Sequence, residues 1–288
     1  MRVIYGFLWL VAILLACAVF MGFAGALHPI FDTLSLLRMP LAALCLLLLV
    51  FPMSRRLRFI LFAAALAGGI STVPLLLPGP DGADLRLYSK NIWYRNPNLS
   101  ALEADIRGSG ADVVTLQEVS RANTALLSAL SDIYPHQHLC RFSGWSGIAV
   151  LSRNPISATR CSQRRGLAAA RITKAGRAVW VASVHLTWPW PYGNAGAAQT
   201  AFDELVGMED APVVMAGDFN IFPWAASVRR MARGGETRLA QPLRPTFDME
   251  GVPLFLDHVH APGGGRVSYR PLLGSDHLGI LADLVVWP

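Results

Sequence analysis

Three long apolar segments lie within the first 79 residues, and they set this part of the chain apart from the rest. They are Val3–Ala26, Met39–Met53 and Phe59–Leu77. The first carries no charge and, at about 24 residues, is long enough to cross a bilayer core of about 30 Å. We therefore predict that residues 1–79 form a membrane anchor of three transmembrane helices, in contact with the lipid bilayer through residues 3–77.

The second apolar segment is the shortest of the three. It reaches the length of a span only if Leu34–Leu37 is included and the Arg38 side chain extends along the helix to the membrane interface. The first segment has an alternative interpretation as a cleavable signal peptide. Its long apolar core and the two apolar segments that follow favour a retained helix.

Positive charges near the membrane predict the orientation of the anchor. The densest basic cluster there is S-R-R-L-R at residues 54–58, between the second and third segments. Such clusters usually stay in the cytoplasm, which places the chain after Leu77 on the other side. The predicted localisation is a bacterial inner membrane, multi-pass, with the following domain periplasmic or otherwise extracytoplasmic.

The rest of the chain is close to neutral. Of the 25 basic and 19 acidic residues, five basic residues and one acidic residue lie within residues 1–79, which leaves 20 and 18 beyond. Most of the formal net charge of +6 therefore belongs to the anchor. The remainder shows no broad basic surface of the kind that duplex DNA requires.

Two of the four cysteines lie outside the anchor, Cys140 and Cys161. An oxidising compartment would allow them to form a disulfide. Closing a loop of about 20 residues would then stabilise the domain by roughly 3 kcal/mol. The sequence alone does not reveal whether the two side chains face each other, so two separate buried thiols are an equal alternative.

Residues 80–84 are predicted to be a linker because Pro, Gly and Asp cluster there. Strand and helix patterns then alternate, which predicts a single α/β domain over residues 85–288 with mixed or antiparallel sheets. The predicted strands are Leu85–Tyr88, Val113–Gln117, Gly147–Leu151, Ala168–Thr173, Val179–His185, Val213–Ala216, and three late strands around Leu254–Val259, Val267–Arg270 and Leu278–Leu284. The predicted helices are Leu99–Arg107, Asn123–Leu130, Ala197–Val206 and Ala225–Met231.

Polar and potentially reactive side chains stand at the ends of six apolar segments in this domain. They are Asn91, Glu118, His185, Asp218 with Asn220, Asp257, and Asp276 with His277. A lone Asn or Asp at a strand end is usually a turn residue. Six such ends in a chain with few charged residues favour a common site, because charges that are buried need partners.

These residue types predict metal-assisted chemistry on a phosphate ester. Oxygen ligands such as Glu118, Asp276 and the side-chain carbonyl of Asn91 suit a hard divalent ion, Mg²⁺ or Mn²⁺. Imidazoles and a further carboxylate can then move protons to and from water and the leaving group. The sequence has no Cys–His cluster with zinc spacing, no glycine-rich phosphate loop and no G-x-S-x-G motif. Their absence argues against zinc, nucleotide-hydrolase and serine-hydrolase chemistry.

The order of motifs N…L-Q-E…G-I-A-V-L-S-R…V-H-L…G-D-F-N…D-H-V…S-D-H resembles the endonuclease/exonuclease/phosphatase superfamily. Its members include DNase I-like nucleases, apurinic endonucleases, neutral sphingomyelinases and inositol-polyphosphate phosphatases. The resemblance extends from about Leu85 to Val286, and G-D-F-N together with S-D-H is its most specific part. The apolar segments before it, with W-P-W-P after V-H-L, resemble a bacterial membrane-anchored subgroup. The resemblance implies a DNase I-like, four-layer α/β/β/α sandwich.

The resemblance also implies which residues hold the metal and activate water. Glu118 would be the principal metal ligand, and Asn91 and Asp276 would help to hold metal or phosphate. Asp218 would orient or deprotonate the attacking water, and Asn220 would donate a hydrogen bond to a phosphate oxygen. The resemblance leaves open whether one or two metal ions act and which residue is the general base.

Histidines complete the site that the resemblance implies. His277 would contact the scissile phosphate and be oriented by Asp257. His185 would be a phosphate contact or a general acid. His258 is interpreted as structural, because alternation along a strand points it away from the side that carries Asp257.

Aromatic and basic residues near these motifs are predicted to contact substrate. They are Trp188 and Trp190 in W-P-W-P-Y, Trp145 and Trp224 on the same rim, and the pair Arg164 and Arg165. The tryptophans could form a platform for a base, a sugar or a lipid, and the arginines could bind phosphate. The alternatives are an aromatic loop packed on the domain and a solvated basic pair.

The sequence therefore predicts a membrane-anchored phosphoesterase that depends on a divalent metal and uses water as the nucleophile. A phosphodiesterase or endonuclease-type activity is the first hypothesis. A sphingomyelinase-like or other lipid or inositol phosphate hydrolase is the alternative. A non-catalytic membrane scaffold that binds a phosphorylated partner is the hypothesis from another class, and no protein partner can be inferred.

Overall fold

A computed structural model describes residues 2–208 and 210–287. The strands, in chain order, are β1 (Leu85–Asn91), β2 (Val113–Val119), β3 (His136–Arg141), β4 (Gly147–Ser152), β5 (Ile156–Cys161), β6 (Leu167–Lys174), β7 (Arg177–His185), β8 (Val213–Asp218), β9 (Arg238–Leu239), β10 (Phe247–Met249), β11 (Val252–Leu254), β12 (Asp257–Ala261), β13 (Gly265–Arg270) and β14 (Gly279–Leu284). The helices are α1 (Arg2–Met21), α2 (Pro29–Leu34), α3 (Arg38–Leu48), α4 (Arg55–Thr72), α5 (Leu99–Ser109), α6 (Ala125–Ala129), α7 (Asn194–Val206) and α8 (Ala226–Gly234).

Twelve of these strands form two six-stranded sheets. The first sheet has the order β13-β14-β1-β2-β4-β3, and the second has the order β5-β6-β7-β8-β12-β9. The pairs β1–β2 and β7–β8 are parallel, and the other neighbours are antiparallel. Strands β10 and β11 form a separate hairpin. Each sheet therefore has one parallel pair at or near its centre.

The two sheets pack face to face, and helices cover their outer faces. Leu87 and Val113 of the first sheet share a buried cluster with Val181 and Val214 of the second. Helices α5 and α6 pack on the outer face of the first sheet, and α7 and α8 pack on that of the second. Strands β2, β4 and β8 are buried at nearly every position, as expected for strands that are covered on both faces. The predicted two-sheet α/β sandwich is confirmed.

The sequence analysis missed four strands, β3, β5, β9 and β10. Strands β3 and β5 lie at the edges of their sheets, and most of their positions are only partly buried or exposed. Edge strands carry polar residues and lack a continuous apolar pattern, so their sequence resembles that of a loop. The two strands carry Cys140 and Cys161, whose Cα atoms lie 5.7 Å apart and whose sulfurs form a disulfide. The disulfide therefore links the two sheets at their edges.

The amino-terminal part of the chain forms apolar helices that pack together. Two helical stretches, Pro29–Leu48 and Arg55–Leu76, are long and apolar enough to cross a membrane by length and composition. A shorter apolar helix covers Gly6–Met21. The structure thus supports two candidate spans, and the predicted third transmembrane helix stays a prediction.

Arg38 points inward among the amino-terminal helices, whereas a full span of the second segment required it to extend outward along the helix. Its side chain is buried, and its guanidinium donates a hydrogen bond to the carbonyl oxygen of Gly22 at 2.6 Å. The guanidinium also lies over the ring of Phe23, 3.9 Å from its centre. Carbonyl groups just after the end of a helix lack partners within the helix and attract cations, so the end of α1 provides a site for this charge.

The predicted linker at residues 80–84 has no helix or strand structure, but it is not free of the domain. The amide of Asp84 donates to the carbonyl of Leu284 at 3.1 Å. The Asp84 carboxylate accepts hydrogen bonds from the amides of Val286 at 2.8 Å and Trp287 at 3.1 Å. The end of the linker is therefore held against the last strand of the first sheet.

Candidate active site

The carboxyl ends of the two parallel pairs meet at one edge of the sandwich. Strands β1 and β2 bring Asn91 and Glu118 there, and β7 and β8 bring His185 and Asp218 as neighbours in register. The side-chain amide of Asn91 donates to Asp218 Oδ2 at 3.0 Å and to Glu118 Oε1 at 3.2 Å. Asn91 thus joins carboxylates from the two sheets, so the site straddles the sandwich.

The remaining predicted residues reach the same edge in a way that the sequence analysis described wrongly. Asp257 does not end a strand: it begins β12, directly opposite Asp218 in antiparallel register. Asp276 and His277 lie in the loop before β14, which is antiparallel to β1. An antiparallel strand enters a sheet at the edge where its neighbour leaves it. Residues at the start of β12 and β14 therefore join those at the ends of β8 and β1.

The backbone at Glu118 is shaped to direct its side chain into the site. Glu118 has a positive φ of 59° and lies at an irregularity in the pairing of β2 with β4. A bulge of this kind changes the direction of a side chain, and it is common beside functional sites. The amide of Tyr94 donates to Glu118 Oε2 at 3.1 Å, which fixes the carboxylate.

The segment around Asp218 is equally constrained. At Gly217, which has a φ of 148°, a Cβ atom would lie 2.0 Å from the carbonyl oxygen of Val184, so only glycine fits. Asn220 has a φ of 51°, and its amide donates to Asp218 Oδ1 at 2.8 Å. The Asn220 side-chain nitrogen donates to Asp218 Oδ2 at 3.1 Å and to the carbonyl of Leu186 at 3.0 Å. Asn220 thus positions Asp218, and its predicted bond to a phosphate oxygen stays a prediction.

His277 and Asp257 form a close buried pair. The Nδ1 atom of His277 lies 2.8 Å from Asp257 Oδ2, and its Nε2 atom lies 3.8 Å from Asp218 Oδ2. Burial by itself would lower the pKa of His277, but the carboxylates of Asp257, Asp218 and Asp276 outweigh burial and raise it to about 9. The imidazole is therefore protonated at neutral pH.

His185 has the opposite protonation state. Its Nε2 atom lies 3.7 Å from Asp218 Oδ2 and 3.9 Å from Glu118 Oε1. Burial, together with the positive charges of Arg165 and His277, holds the pKa of His185 well below its ordinary value. A neutral ring suits a hydrogen-bond contact with phosphate better than a role as general acid, which needs the protonated form.

The acidic residues of the site favour a cation. Burial raises the pKa of Asp218 to about 7, assisted by the charge of Asp257, although His277 opposes the shift. Burial also raises the pKa of Glu118, with a contribution from Asp276. Carboxylates that are costly to ionise in a buried site are stabilised by a nearby cation, and oxygen donors suit Mg²⁺ or Mn²⁺. The residues present thus fit a hard divalent ion.

The structure places possible ligands in two groups. Ligand atoms of Asp218, Asp257 and His277 lie within 4.8 Å of one another. These three side chains could hold a cation or exchange a proton among themselves. Among the predicted ligands, Asn91 and Glu118 are in contact, whereas Asp276 is exposed and its described hydrogen bond is with Ser275 at 3.5 Å.

The two arginines predicted to contact substrate differ in their position relative to the site. The Arg165 guanidinium lies 5.2 Å from the centre of the Trp145 ring, and its charge acts on Asp218 and Glu118. Arg164 is exposed. Of the arginine pair, Arg165 is therefore the one that faces the site.

The predicted tryptophans differ in exposure. Trp188 and Trp190 are exposed, and the Trp188 ring lies 6.1 Å from the ring of Phe247. Trp224, which the sequence analysis placed on the rim, is buried instead, and its indole nitrogen donates to the carbonyl of Ser35 at 2.7 Å. A contact with the amino-terminal helices could not be foreseen from local sequence.

Two residues near the site were not predicted. Lys90 is fully buried, and its ammonium donates to the carbonyls of Pro271 at 3.0 Å and His277 at 2.7 Å. Burial lowers the pKa of Lys90 to about 8. Phe247 packs on the His277 ring at 4.7 Å between centres. A lysine next to Asn91 at the end of a buried strand was a usable signal, whereas nothing in the sequence marked Phe247.

The fold is similar to solved structures from distant sources. An endonuclease/exonuclease/phosphatase from Bacteroides vulgatus superposes with a TM-score of 0.60 at 16% identity, over 70% of this chain and 98% of that one. Truncated Caenorhabditis elegans TDP2 gives 0.55 at 18% identity, over 69% and 96%. A variant of beta toxin from Staphylococcus aureus with bound magnesium ions gives 0.53 at 17% identity, over 70% and 100%. At these identities the similarity shows a shared fold.

Sequence comparison gives the family. No curated protein is similar enough in sequence to count as a relative. The sequence profile of the Endonuclease/Exonuclease/phosphatase family matches residues 88–277, which is more than half of the chain and includes every residue predicted for the catalytic and metal sites. The resemblance drawn from the motifs is thereby confirmed. The chain belongs to the Endonuclease/Exonuclease/phosphatase family, whose members are metal-dependent phosphoesterase hydrolases.

Proposed function

We propose that the protein is a membrane-anchored phosphoesterase that depends on a divalent metal and hydrolyses its substrate by attack of water on phosphorus. The main support is geometric: the Nε2 atoms of His185 and His277 lie 3.7 Å and 3.8 Å from Asp218 Oδ2, which Asn91 joins to Glu118. The pKa of His185 is lowered and that of His277 is raised. Groups whose pKa values are pushed apart in one buried site are typical of acid–base catalysis. The activity is of the phosphodiesterase or endonuclease type, with lipid or inositol phosphate hydrolysis as the alternative.

Glu118, Asn91 and Asp276 would hold Mg²⁺ or Mn²⁺, which when bound supplies positive charge to a phosphoryl oxygen. With a pKa of about 7, Asp218 is partly ionised at neutral pH and can accept a proton from water. Protonated His277 offers Nε2–H to the phosphate or to the leaving oxygen, and Asp257 holds the ring through Nδ1. His185 donates a hydrogen bond to phosphate, and Arg165 adds positive charge at the same edge.

We further propose that α1, the segment Met39–Met53 and α4 together form a three-helix anchor of a bacterial inner membrane. The basic residues at positions 54–58 then lie in the cytoplasm and the catalytic domain lies outside it. The disulfide between Cys140 and Cys161 supports an oxidising compartment. A reporter enzyme that functions only in the periplasm, fused after the last residue, should be active. Activity from a reporter that functions only in the cytoplasm would overturn this orientation.

The activity is tested with the full chain in detergent micelles, beside Asp218→Ala. Substrates are plasmid DNA, single-stranded DNA, RNA, sphingomyelin and a chromogenic phosphodiester, each with Mg²⁺, Mn²⁺ or a chelator. We expect metal-dependent hydrolysis that falls by at least about 100-fold in Asp218→Ala. Asp203→Ala, which removes an exposed carboxylate on α7, is the matched control and should retain the parent rate. No hydrolysis of any substrate by a metal-loaded parent would favour the scaffold hypothesis.

A further inference from the structure

The membrane anchor is attached to the catalytic domain by buried polar contacts. The Asp32 carboxylate accepts hydrogen bonds from the amides of Ala226 at 2.5 Å and Ser227 at 3.0 Å, so it caps the first turn of α8. The carbonyl of Ser35 accepts the bond from Trp224 at 2.7 Å. All three domain residues lie in the segment that follows the active-site loop after β8.

A backbone hydrogen bond and a hydrophobic cluster also join the anchor to the domain. The amide of Leu243 donates to the carbonyl of Leu75 at 2.7 Å. One hydrophobic cluster joins Leu36, Met39 and Leu75 of the anchor with Phe222, Phe247 and Leu256 of the domain. The anchor therefore contacts three separate domain segments rather than a single tether point.

Each of those three segments also carries or supports a catalytic group. Phe222 follows Asn220 in the loop after β8, and Leu256 directly precedes Asp257. The ring of Phe247 packs on His277 at 4.7 Å. Because β7 has nine residues, the opposite edge of the sandwich lies roughly 30 Å away. The anchor and the catalytic groups thus share one edge of the domain.

An exposed aromatic patch extends this edge. Trp188, Trp190 and Tyr192, which we name the aromatic rim, are 37%, 47% and 73% exposed. The rim adjoins the β10–β11 hairpin through the contact of Trp188 with Phe247, and this hairpin exposes Val252. Trp and Tyr concentrate at the boundary between lipid and water. Their position beside a membrane anchor indicates that this edge faces the headgroup region.

We propose that the active site opens onto the bilayer surface and that its substrate is the phosphodiester of a membrane lipid headgroup. This inference rests on the proposed function. Water forms a bond to phosphorus, the bond from phosphorus to one ester oxygen breaks, and the water proton passes to Asp218. A proton from His277 ends on the departing oxygen. The products are a phosphomonoester and an alcohol.

The alternative substrate, nucleic acid, has less support from the charges of the domain. Beyond residue 79 the chain carries 20 basic and 18 acidic residues, so its net charge gives little general attraction for a phosphate backbone. Beside the cleft, Trp188, Trp190, Tyr192 and Val252 are exposed. Cleavage of nucleic acid without cleavage of lipid would therefore contradict this choice of substrate.

The first test compares two substrates in one preparation. The full chain is reconstituted into vesicles of phosphatidylethanolamine, phosphatidylglycerol and sphingomyelin with Mg²⁺, and a soluble chromogenic phosphodiester is added. In Asp32→Ala we expect lipid hydrolysis to fall at least about tenfold while turnover of the soluble ester stays within about twofold of the parent. Asp203→Ala is the matched control and should change neither rate. Equal lipid hydrolysis by parent and Asp32→Ala would overturn the role of the docked anchor.

The same experiment separates this inference from the proposed function. A parent that cleaves the soluble ester or DNA but no vesicle lipid retains the proposed function and loses the inference. A parent that cleaves neither, with metal present, loses both.

The second test does not depend on catalysis or on the stability of Asp32→Ala. A fluorescent label is attached to Val252→Cys in a Cys17→Ala, Cys45→Ala background, with Ala175→Cys at the opposite edge as the matched control. Nitroxide-bearing lipids should quench the label at position 252 at least about twofold more than the label at position 175. Equal quenching would show that the active-site edge does not face the bilayer, which would overturn the proposal.

Discussion

Strand β12 separates two buried histidine environments with opposite charge states. On one face, Asp257 pairs with His277 in the active-site cleft. On the other, His258 stacks on the ring of Phe219 at 4.8 Å, and His260 lies 5.6 Å from the same ring. Alternation along the strand places the two sets on opposite sides, as the sequence analysis predicted for His258.

Burial without an acidic partner suppresses the charge of an imidazole, as in the second environment. Burial, with the neighbouring His260, lowers the pKa of His258 to about 3, and burial lowers the pKa of His260 to about 4. His277 is also buried, yet nearby carboxylates raise its pKa to about 9. Acidic partners, rather than depth in the protein, therefore decide which histidine can carry a proton to a substrate.

The largest loss of activity should follow from removing the acidic partner of His277, which makes its environment like that of His258. In Asp257→Asn, His277 loses its strongest acidic partner, and burial then drives its pKa down. We expect the kcat for the soluble phosphodiester at pH 7 to fall by about 100-fold to 10,000-fold, the range typical of general acid–base groups. Asp248→Asn, on exposed strand β10, is the matched control and should retain the parent kcat. A parent-like rate in Asp257→Asn would show that the pair does not take part in catalysis.

A second difference between the environments is their affinity for cations. The cleft holds acidic oxygens and should bind Mn²⁺, whereas the His258 environment has an aromatic partner and no carboxylate among its described contacts. Glu118→Gln should weaken Mn²⁺ binding by about tenfold to 100-fold, measured by calorimetry on the full chain. His260→Leu should bind Mn²⁺ as the parent does. Comparable weakening in both variants would indicate a general loss of structure instead of a lost ligand.

The smallest expected effect is that of His260→Leu on the free energy of unfolding at acid pH. The pKa of His260 in the folded protein is about 4, so between its ordinary value of 6.5 and about 4 the unfolded chain binds a proton that the folded chain excludes. Stability should therefore fall as the pH decreases through this range. His260→Leu removes this contribution, and the loss of unfolding free energy from pH 7 to pH 5 should be smaller by about 2 kcal/mol.

This stability difference is measured by urea unfolding in detergent, followed by tryptophan fluorescence. An unchanged urea slope in His260→Leu verifies that the folded and unfolded states expose the same surface. An identical pH dependence for parent and variant would show that His260 takes up its proton in the folded state.

Most of the central strands and most site residues could be predicted from the sequence. Strands such as β2 and β8 are apolar runs that end in Glu118 and Asp218, and a strand pattern is local in the chain. The late strand expected around Leu254–Val259 was wrong in its bounds, because β11 ends at Leu254 and β12 begins at Asp257. Apolar residues on both sides of that break concealed the turn between them.

Choices between similar residues needed the tertiary structure. Arg164 and Arg165 are equivalent in the sequence, yet only Arg165 is turned toward Trp145 and the carboxylates of the site. The pairing of Cys140 with Cys161 depends on two edge strands from different sheets, and neither strand has a clear local pattern. In both cases the outcome depends on where distant parts of the chain cross.

By itself, the sequence determined the family motifs, the apolar amino-terminal segments and the set of candidate site residues, because each depends on residue types and short-range spacing. The tertiary structure decided which carboxylate controls which histidine and where the anchor meets the domain. Asp32 and Ala226 are 194 residues apart, and their hydrogen bond exists only because the folded domain presents the start of α8 beside the active-site edge. Charge states and contacts of this kind depend on burial and distance in three dimensions, which short-range patterns do not contain.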